Sequence, residues 1–306
     1  MPDPKYAPNT PRKTKVAQNN PSLADDSHLP FWKRSHYLDR MTLGQLVSAY
    51  FQHYTIIAYL AIAAASLVVA FLYPASPLQM LGAFAAAAFV YPLVWHLLHQ
   101  YILHGQWPYK IKILASTWKR IHYDHHQDPN HLEVLFGALH TTVPTVAAAT
   151  IPVGWLIGGM GGAAMAFATG ILTTCYYEFM HCIQHLAFKP KWKWVQHMKQ
   201  RHNEHHYVDE DGNFGITNYW WDHILGTYYE KKDRPGRSPT VFNLGYTEEV
   251  AKKYPWVKEL SGGIASDHPR RRALANAAKI KAEAAAPTEE QILAHAAEAV
   301  GMDTEA

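Results

Sequence analysis

The chain has 306 residues, a net charge of +3 from 28 basic and 25 acidic side chains, two cysteines and 20 histidines. So small a charge excess gives no basis for a nucleic-acid partner, and two cysteines exclude a four-cysteine iron–sulfur site or a disulfide scaffold. The mean hydropathy of −0.21 is that of a soluble protein, but it averages over strong segregation: Asp, Glu, Lys and Arg are absent from Met41 to Tyr109 and from Val134 to Tyr177.

In chain order, residues 1–40 are polar and proline-bearing, with no apolar core of a cleavable signal peptide. The first span is therefore expected to act as an uncleaved anchor. Met41–Tyr54 is predicted to be an interfacial helix, with Phe31 and Trp32 near the headgroups. A bilayer-crossing helix takes about 20 apolar residues, so each charge-free stretch has room for two. The predicted spans are Thr55–Tyr73, Leu78–Leu98, Phe136–Ile157 and Ala163–Cys182, within a membrane domain over 41–230. Soluble helices carry a charged outer face, and these carry none. The Gly158–Gly162 run reads as a tight turn, because it lacks the lysine of a phosphate loop. Residues 231–264 read as an extension of a cytosolic cap and 265–306 as an alanine-rich charged tail, with Arg270, Arg271 and Arg272. Cys175 and Cys182 lie in the fourth span, where packing is the better reading than a disulfide.

Charge gives the orientation. Lys33, Arg34 and Arg40 precede the first span. Lys110, Lys112, Lys119 and Arg120 lie between the second and third, and Lys189, Lys191, Lys193, Lys199 and Arg201 follow the fourth. The positive-inside rule places both termini and the middle loop in the cytoplasm.

Four histidine clusters fall on that side: His99 and His104 (HxxxxH), His122, His125 and His126 (HxxHH), His181 and His185 (HxxxH), and His202, His205 and His206 (HxxHH). Neutral imidazole is the commonest metal ligand, and one ion rarely takes more than four protein ligands, so ten histidines point to two ions. Residues three and four apart share a helix face. Each HxxHH triplet is therefore expected to project together. His99 and His104 sit about 140° apart on an α-helix, and converge only if the helix ends or distorts before Gly105. His96, three residues before His99, is a candidate supporting residue. The other histidines default to structural or surface roles, with His223 the one closest to a cluster.

The order HxxxxH, HxxHH, HxxxH, HxxHH resembles the fatty acid hydroxylase and sterol desaturase superfamily. The likeness covers Trp95 to Tyr229, including Phe214–Asn218, Trp221-Asp222 and Gly226–Tyr228; it departs where Gln100 follows His99 in place of the family's frequent arginine. The resemblance implies an all-α integral membrane protein of about four transmembrane helices with a cytosolic histidine-rich metal cap. It further implies two iron ions held by the ten clustered histidines, dioxygen as co-substrate, and oxidation of an unactivated lipid C–H bond. Zinc has no redox chemistry but binds nitrogen ligands more tightly than ferrous iron, so it can replace iron in purified protein.

Asp124, Glu178, Glu204 and Asp222 lie beside the clusters and are candidates to hydrogen-bond ring N–H groups; Tyr123, Tyr176 and Tyr177 are possible further donors. Trp95, Trp107, Trp118, Phe179, Trp220 and Trp221 fit either an acyl or polyisoprenoid channel or an interfacial aromatic belt. With no electron-carrier motif visible, a separate donor of ferredoxin or cytochrome type with its reductase is expected. The leading expectation is a monooxygenase that hydroxylates a long-chain acyl, sphingolipid-like or aminolipid substrate. A lipid or sterol desaturase, a C4-methyl oxidase and a carotenoid hydroxylase share the ligand set. A histidine-rich metal transporter is the non-enzyme alternative, but no polar ladder crosses the spans. The absence of HExxH speaks against a zinc peptidase. A bacterial inner membrane is favoured over the endoplasmic reticulum, since the C-terminus carries no retrieval signal.

Overall fold

Short polar segments start the apolar helices cleanly. Thr42 and Ser76 each accept a hydrogen bond from the backbone N–H of a glutamine three residues on, and that glutamine side chain returns the bond. These two capping boxes satisfy N–H groups that a helix start leaves open. In the computed structural model, which describes residues 36–261, they begin α1 (Leu43–Gln52) and α3 (Pro77–Leu98), with α2 (Tyr54–Leu72) between. Phe31, Trp32, Lys33, Arg34 and the 265–306 tail lie outside the described residues.

The protein is an all-α integral membrane protein. Three helices among the described residues are long and apolar enough to cross a bilayer, where four spans were expected. The count differs only because α6 (Leu139–His185) is two helices joined at a reversal, and these carry the last two predicted spans from Leu139 onward. It doubles back on itself at Gly158 (φ −148°, ψ 28°) and Gly159 (φ 57°, ψ −142°). Only glycine adopts that second conformation without strain. The turn is thus narrower than the predicted Gly158–Gly162. Gly162 belongs to the returning arm, and a Cβ on Gly154 would lie 2.3 Å from its carbonyl oxygen. Further down, a Cβ on Gly170 would lie 2.6 Å from Val146. Glycines thus let the two arms pack backbone to backbone, the small-residue contact on which membrane helices rely. Phe136, expected to open the third span, instead packs in the core below it, 1% exposed.

Helices α2 and α3 pack on α6, the latter through Ala83, Ala87 and Ala166. One core joins α1, the spans and the start of the cap through Leu46, Tyr50, Tyr59, Phe136, Met180 and Leu186. The outer residues Leu43, Val47 and Phe51 of α1 stay exposed, as an interfacial helix requires. Beyond the spans come α4 (Lys112–Trp118), α5 (Asp124–Gln127), α7 (Lys193–Tyr207), α8 (Trp220–Leu225), α9 (Glu248–Lys253) and α10 (Trp256–Leu260). A second core, around Tyr109, Trp118, Tyr123, Tyr246 and Val257, fixes the 241–260 segment to α4. Glu133 accepts from His36 (2.7 Å) and pairs with His131 (2.9 Å), so the first described residues are clasped to the loop that follows α5.

Candidate metal centre

Local backbone geometry solves the five-residue spacing of the first motif. Helix α3 runs into a π-helical turn, His99–Leu103, in which the His104 N–H donates to the His99 carbonyl at 3.0 Å. This i→i+5 bond brings residues five apart over one another. A second π turn, Lys119–Tyr123, leads into α5. Carbonyls freed at the end of the first are taken up by indoles: Trp107 donates to Tyr101 (3.1 Å) and Trp118 to Leu103 (2.8 Å). Lys199 of α7 donates to the Gln184 and Leu186 carbonyls at the end of α6, fixing His181 and His185 relative to His202.

All ten clustered histidines converge, in two main groups. His125, His181, His185, His202 and His206 each place a ring nitrogen within 4.8 Å of the others; His99, His104, His122 and His205 do the same. His126 joins the two, grouped with His205 and His206. The HxxHH triplets therefore do not act as units. In α7, His202 and His206 are one turn apart and face the five-histidine group, while His205, rotated by about 100° from His206, faces the other. The second motif divides likewise, with His122 and His125 in different groups.

Backbone carbonyls set the ring orientations. Nδ1 of His99 donates to Phe214 O (2.7 Å), that of His205 to Gly212 O (2.7 Å), and that of His126 to Val241 O (2.9 Å). A carbonyl can only accept, so Nδ1 carries the proton and Nε2 keeps its lone pair. The Nε2 atoms of His99, His126, His181 and His205 are buried without a hydrogen-bond partner. Nε2 atoms of His104 and His122 face each other at 2.7 Å, and those of His185 and His202 at 2.9 Å. So many converging lone pairs are costly unless a cation receives them, and the set fits a pair of divalent metals. Burial first, then neighbouring imidazoles, holds His122, His125, His202 and His206 well below the usual histidine range; His126 is lowered to about 3. The rings are thus in the neutral form that metal binding needs.

Residues 84–227 match the fatty acid hydroxylase family model, a segment that contains every one of these histidines. The matched segment, just under half of the chain, is similar to that family. The chain is 27% identical over 152 residues to the ceramide very long chain fatty acid hydroxylase of Saccharomyces cerevisiae, covering 47% of this chain and 37% of that protein. It is 25% identical over 160 residues to fatty acid 2-hydroxylase of Rattus norvegicus (51% and 41%). With the dihydroceramide fatty acyl 2-hydroxylase of Arabidopsis thaliana it shares 28% over 160 residues (49% and 60%). The matches thus span between about two fifths and three fifths of these relatives' lengths. The solved structure of full-length scs7p, with only its hydroxylase domain visible, aligns with a TM-score of 0.49 at 23% identity, covering 57% of this chain and 65% of that one.

Beside the clustered histidines lies a cavity of about 230 Å³. His99 and His122 of one group and His125 and His181 of the other line it, with Leu98, Ile102, Leu135 and Trp95. Thr141, Thr142 and Thr145 supply a polar strip that sequence reading passed over; their spacing on one helix face was the available signal. Of the six aromatics proposed for a channel, only Trp95 lines this cavity. Trp107 and Trp118 support the π turn, Phe179 packs on Tyr50, Trp220 is exposed, and Trp221 packs on Phe89.

The carboxylates also serve other partners than the ring N–H groups foreseen for them. Asp124 pairs with Lys119, Glu204 with Arg201, and Glu178 accepts from Gly137 N–H at 2.9 Å while lining the cavity. Asp222 accepts from the backbone of Phe214 and Gly215. His96 lies 3.6 Å from Asp222, beyond hydrogen-bond reach. Tyr123 is buried in the second core, Tyr177 lines the cavity stacked on Trp95, and Tyr176 is half exposed. His223 is exposed and stacks on Tyr228, away from the cavity.

Proposed function

We propose that this protein is a di-iron monooxygenase that hydroxylates a C–H bond in the long acyl chain of a membrane lipid, a sphingolipid-like or aminolipid substrate being favoured. The observation that carries this reading is the cavity that both histidine groups reach, walled mainly by apolar side chains. Bound there, two iron ions would supply dioxygen with the electrons that side chains cannot, a role closed to redox-inert zinc. His125, His181, His185, His202 and His206 would hold one ion, and His99, His104, His122 and His205 the other, with His126 between them.

The protein's own part is positioning. Leu98, Ile102 and Leu135 give an acyl chain a dry surface, and the Thr141–Thr145 strip and Glu178 offer polar partners to a headgroup-proximal hydroxyl or amide. The curated relatives are named for fatty acyl and ceramide hydroxylation, which favours an acyl chain over a sterol or carotenoid. The basic segments around Lys110–Arg120 and Lys189–Arg201 favour a cytoplasmic histidine end by the positive-inside rule, where a separate ferredoxin- or cytochrome-type carrier would deliver electrons.

Untargeted lipid mass spectrometry on cells with and without the protein, with His205→Ala as control, tests the reading. A lipid that gains the mass of one oxygen only with the intact protein supports it. A loss of two hydrogens instead makes the protein a desaturase. No lipid change alongside altered cellular iron or zinc overturns the enzyme reading in favour of transport.

A further inference from the structure

The two histidine groups are supported differently, and the difference ends at one buried carboxylate. Asp222 is fully buried. Its Oδ2 accepts from Gly215 N–H at 2.9 Å and its Oδ1 from Phe214 N–H at 2.8 Å and the Thr227 hydroxyl at 2.8 Å. The Gly215 N–H and the Phe214 carbonyl belong to one peptide plane. Through that plane the carboxylate backs the carbonyl that holds His99 Nδ1.

The neighbouring Gly212–Asn213 peptide repeats the arrangement. Its carbonyl holds His205 Nδ1, its N–H donates to Thr227 O at 3.0 Å, and the Thr227 N–H returns to the Asp222 carbonyl at 2.9 Å. Glycine is needed at both places. A Cβ on Gly215 would lie 2.8 Å from Asp222 Oδ2, and one on Gly212 would lie 2.5 Å from Thr227 O. His99 and His205 both belong to the four-histidine group. In the five-histidine group, by contrast, neither ring nitrogen of His125 or His206 has a hydrogen-bond partner.

We propose that Asp222 is a positioning residue for one metal only: acting through the 214–215 peptide and Thr227, it orients and polarises His99 and His205 and so sets the affinity of the four-histidine site. A carboxylate that backs a ligand imidazole fixes its tautomer and raises its basicity, and a hydrogen-bonded chain carries that polarisation through the peptide. The inference rests on the two-metal reading above. Asp222→Asn keeps the shape but offers one acceptor oxygen where two backbone N–H groups and a hydroxyl need one.

The test is titration of metal-free, full-length protein in detergent with zinc against a chelator. The wild type should take up two ions. Asp222→Asn should bind one ion as the wild type does and the other about 10–100-fold more weakly, the range for losing an outer-shell partner. Thr227→Val, a milder change, should weaken the same ion by less, and it carries the test if Asp222→Asn does not fold. In a His104→Ala background, Asp222→Asn should leave the remaining ion unchanged. Equal weakening of both ions, or of neither, overturns the proposal. A wild type that binds fewer than two ions overturns the two-metal reading itself, whatever Asp222 does.

Discussion

His126 shows what burial does to a histidine in a cluster that could hold metal. Its Nδ1–H is held by Val241 O, and desolvation keeps it neutral down to about pH 3. The unfolded chain, whose histidines take up protons near 6.5, binds more protons than the folded one below that pH. The stability of the metal-free protein should therefore be full above about pH 7 and decline as the pH falls from 6.5 towards 3. Glu133 adds a lower limb. Burial alone would raise its carboxyl, but hydrogen bonds from His131 and His36 outweigh it and bring it to about 2. Its contribution is complete above the unfolded value of about 4.5 and is lost as the pH falls towards 2. Thermal midpoints against pH check both: Glu133→Gln should flatten the curve below about 4.5 and leave the limb above it in place. An unchanged lower limb would remove Glu133 from the account. At this scale the convergence of the ten histidines was legible, because it is written in residue type and spacing. The roles of Asp222, Glu204 and Trp118 were not, because each depends on which backbone groups the loops leave open.

Among the elements, the reversal inside α6 carries the sharpest expectation. Gly159 sits at φ 57°, ψ −142°, so Gly159→Ala should cost about 1–3 kcal/mol although nothing crowds the site. Gly44→Ala, on the exposed side of α1 with equally free space, should instead stabilise by about 0.5–1 kcal/mol. Thermal unfolding in detergent, read side by side, checks the pair. Equal effects would mean that backbone conformation is not what distinguishes the two glycines. Hydropathy made the spans readable to within a few residues, since twenty apolar residues in a row have few other uses. It could not show that the turn between the last two takes only Gly158 and Gly159, or that α3 ends in a π turn. Both depend on hydrogen-bond register, which composition does not record.

For the molecule as a whole, the metals should act as staples. Each ion present at 100 times its dissociation constant adds about 2.7 kcal/mol. At about 2–4 °C per kcal/mol for a domain of this size, stripping both ions should lower the thermal midpoint by roughly 10–20 °C, and zinc should restore it. A midpoint indifferent to chelation would mean that the histidines hold no ion in the folded protein. Substrate and metal can also be separated. Thr145→Trp, which fills the cavity from its polar strip, should leave metal uptake intact and cut lipid oxidation by on the order of 100-fold, since displaced substrates lose that much. Retained turnover would place the acyl chain elsewhere.

The π turn at His99–Leu103 and the ordinary α-helix around His181 and His185 give their histidine pairs the same relation, one ring above another, from different numbers of intervening residues. One geometry thus has two spellings, HxxxxH and HxxxH, interchangeable by switching the hydrogen-bond ladder between i→i+5 and i→i+4. The loss of one codon between His99 and His104 would be absorbed by the backbone, with both ligands left facing the same way. A pattern counted in residues treats the two spellings as different words, while one counted in helical turns reads them as the same.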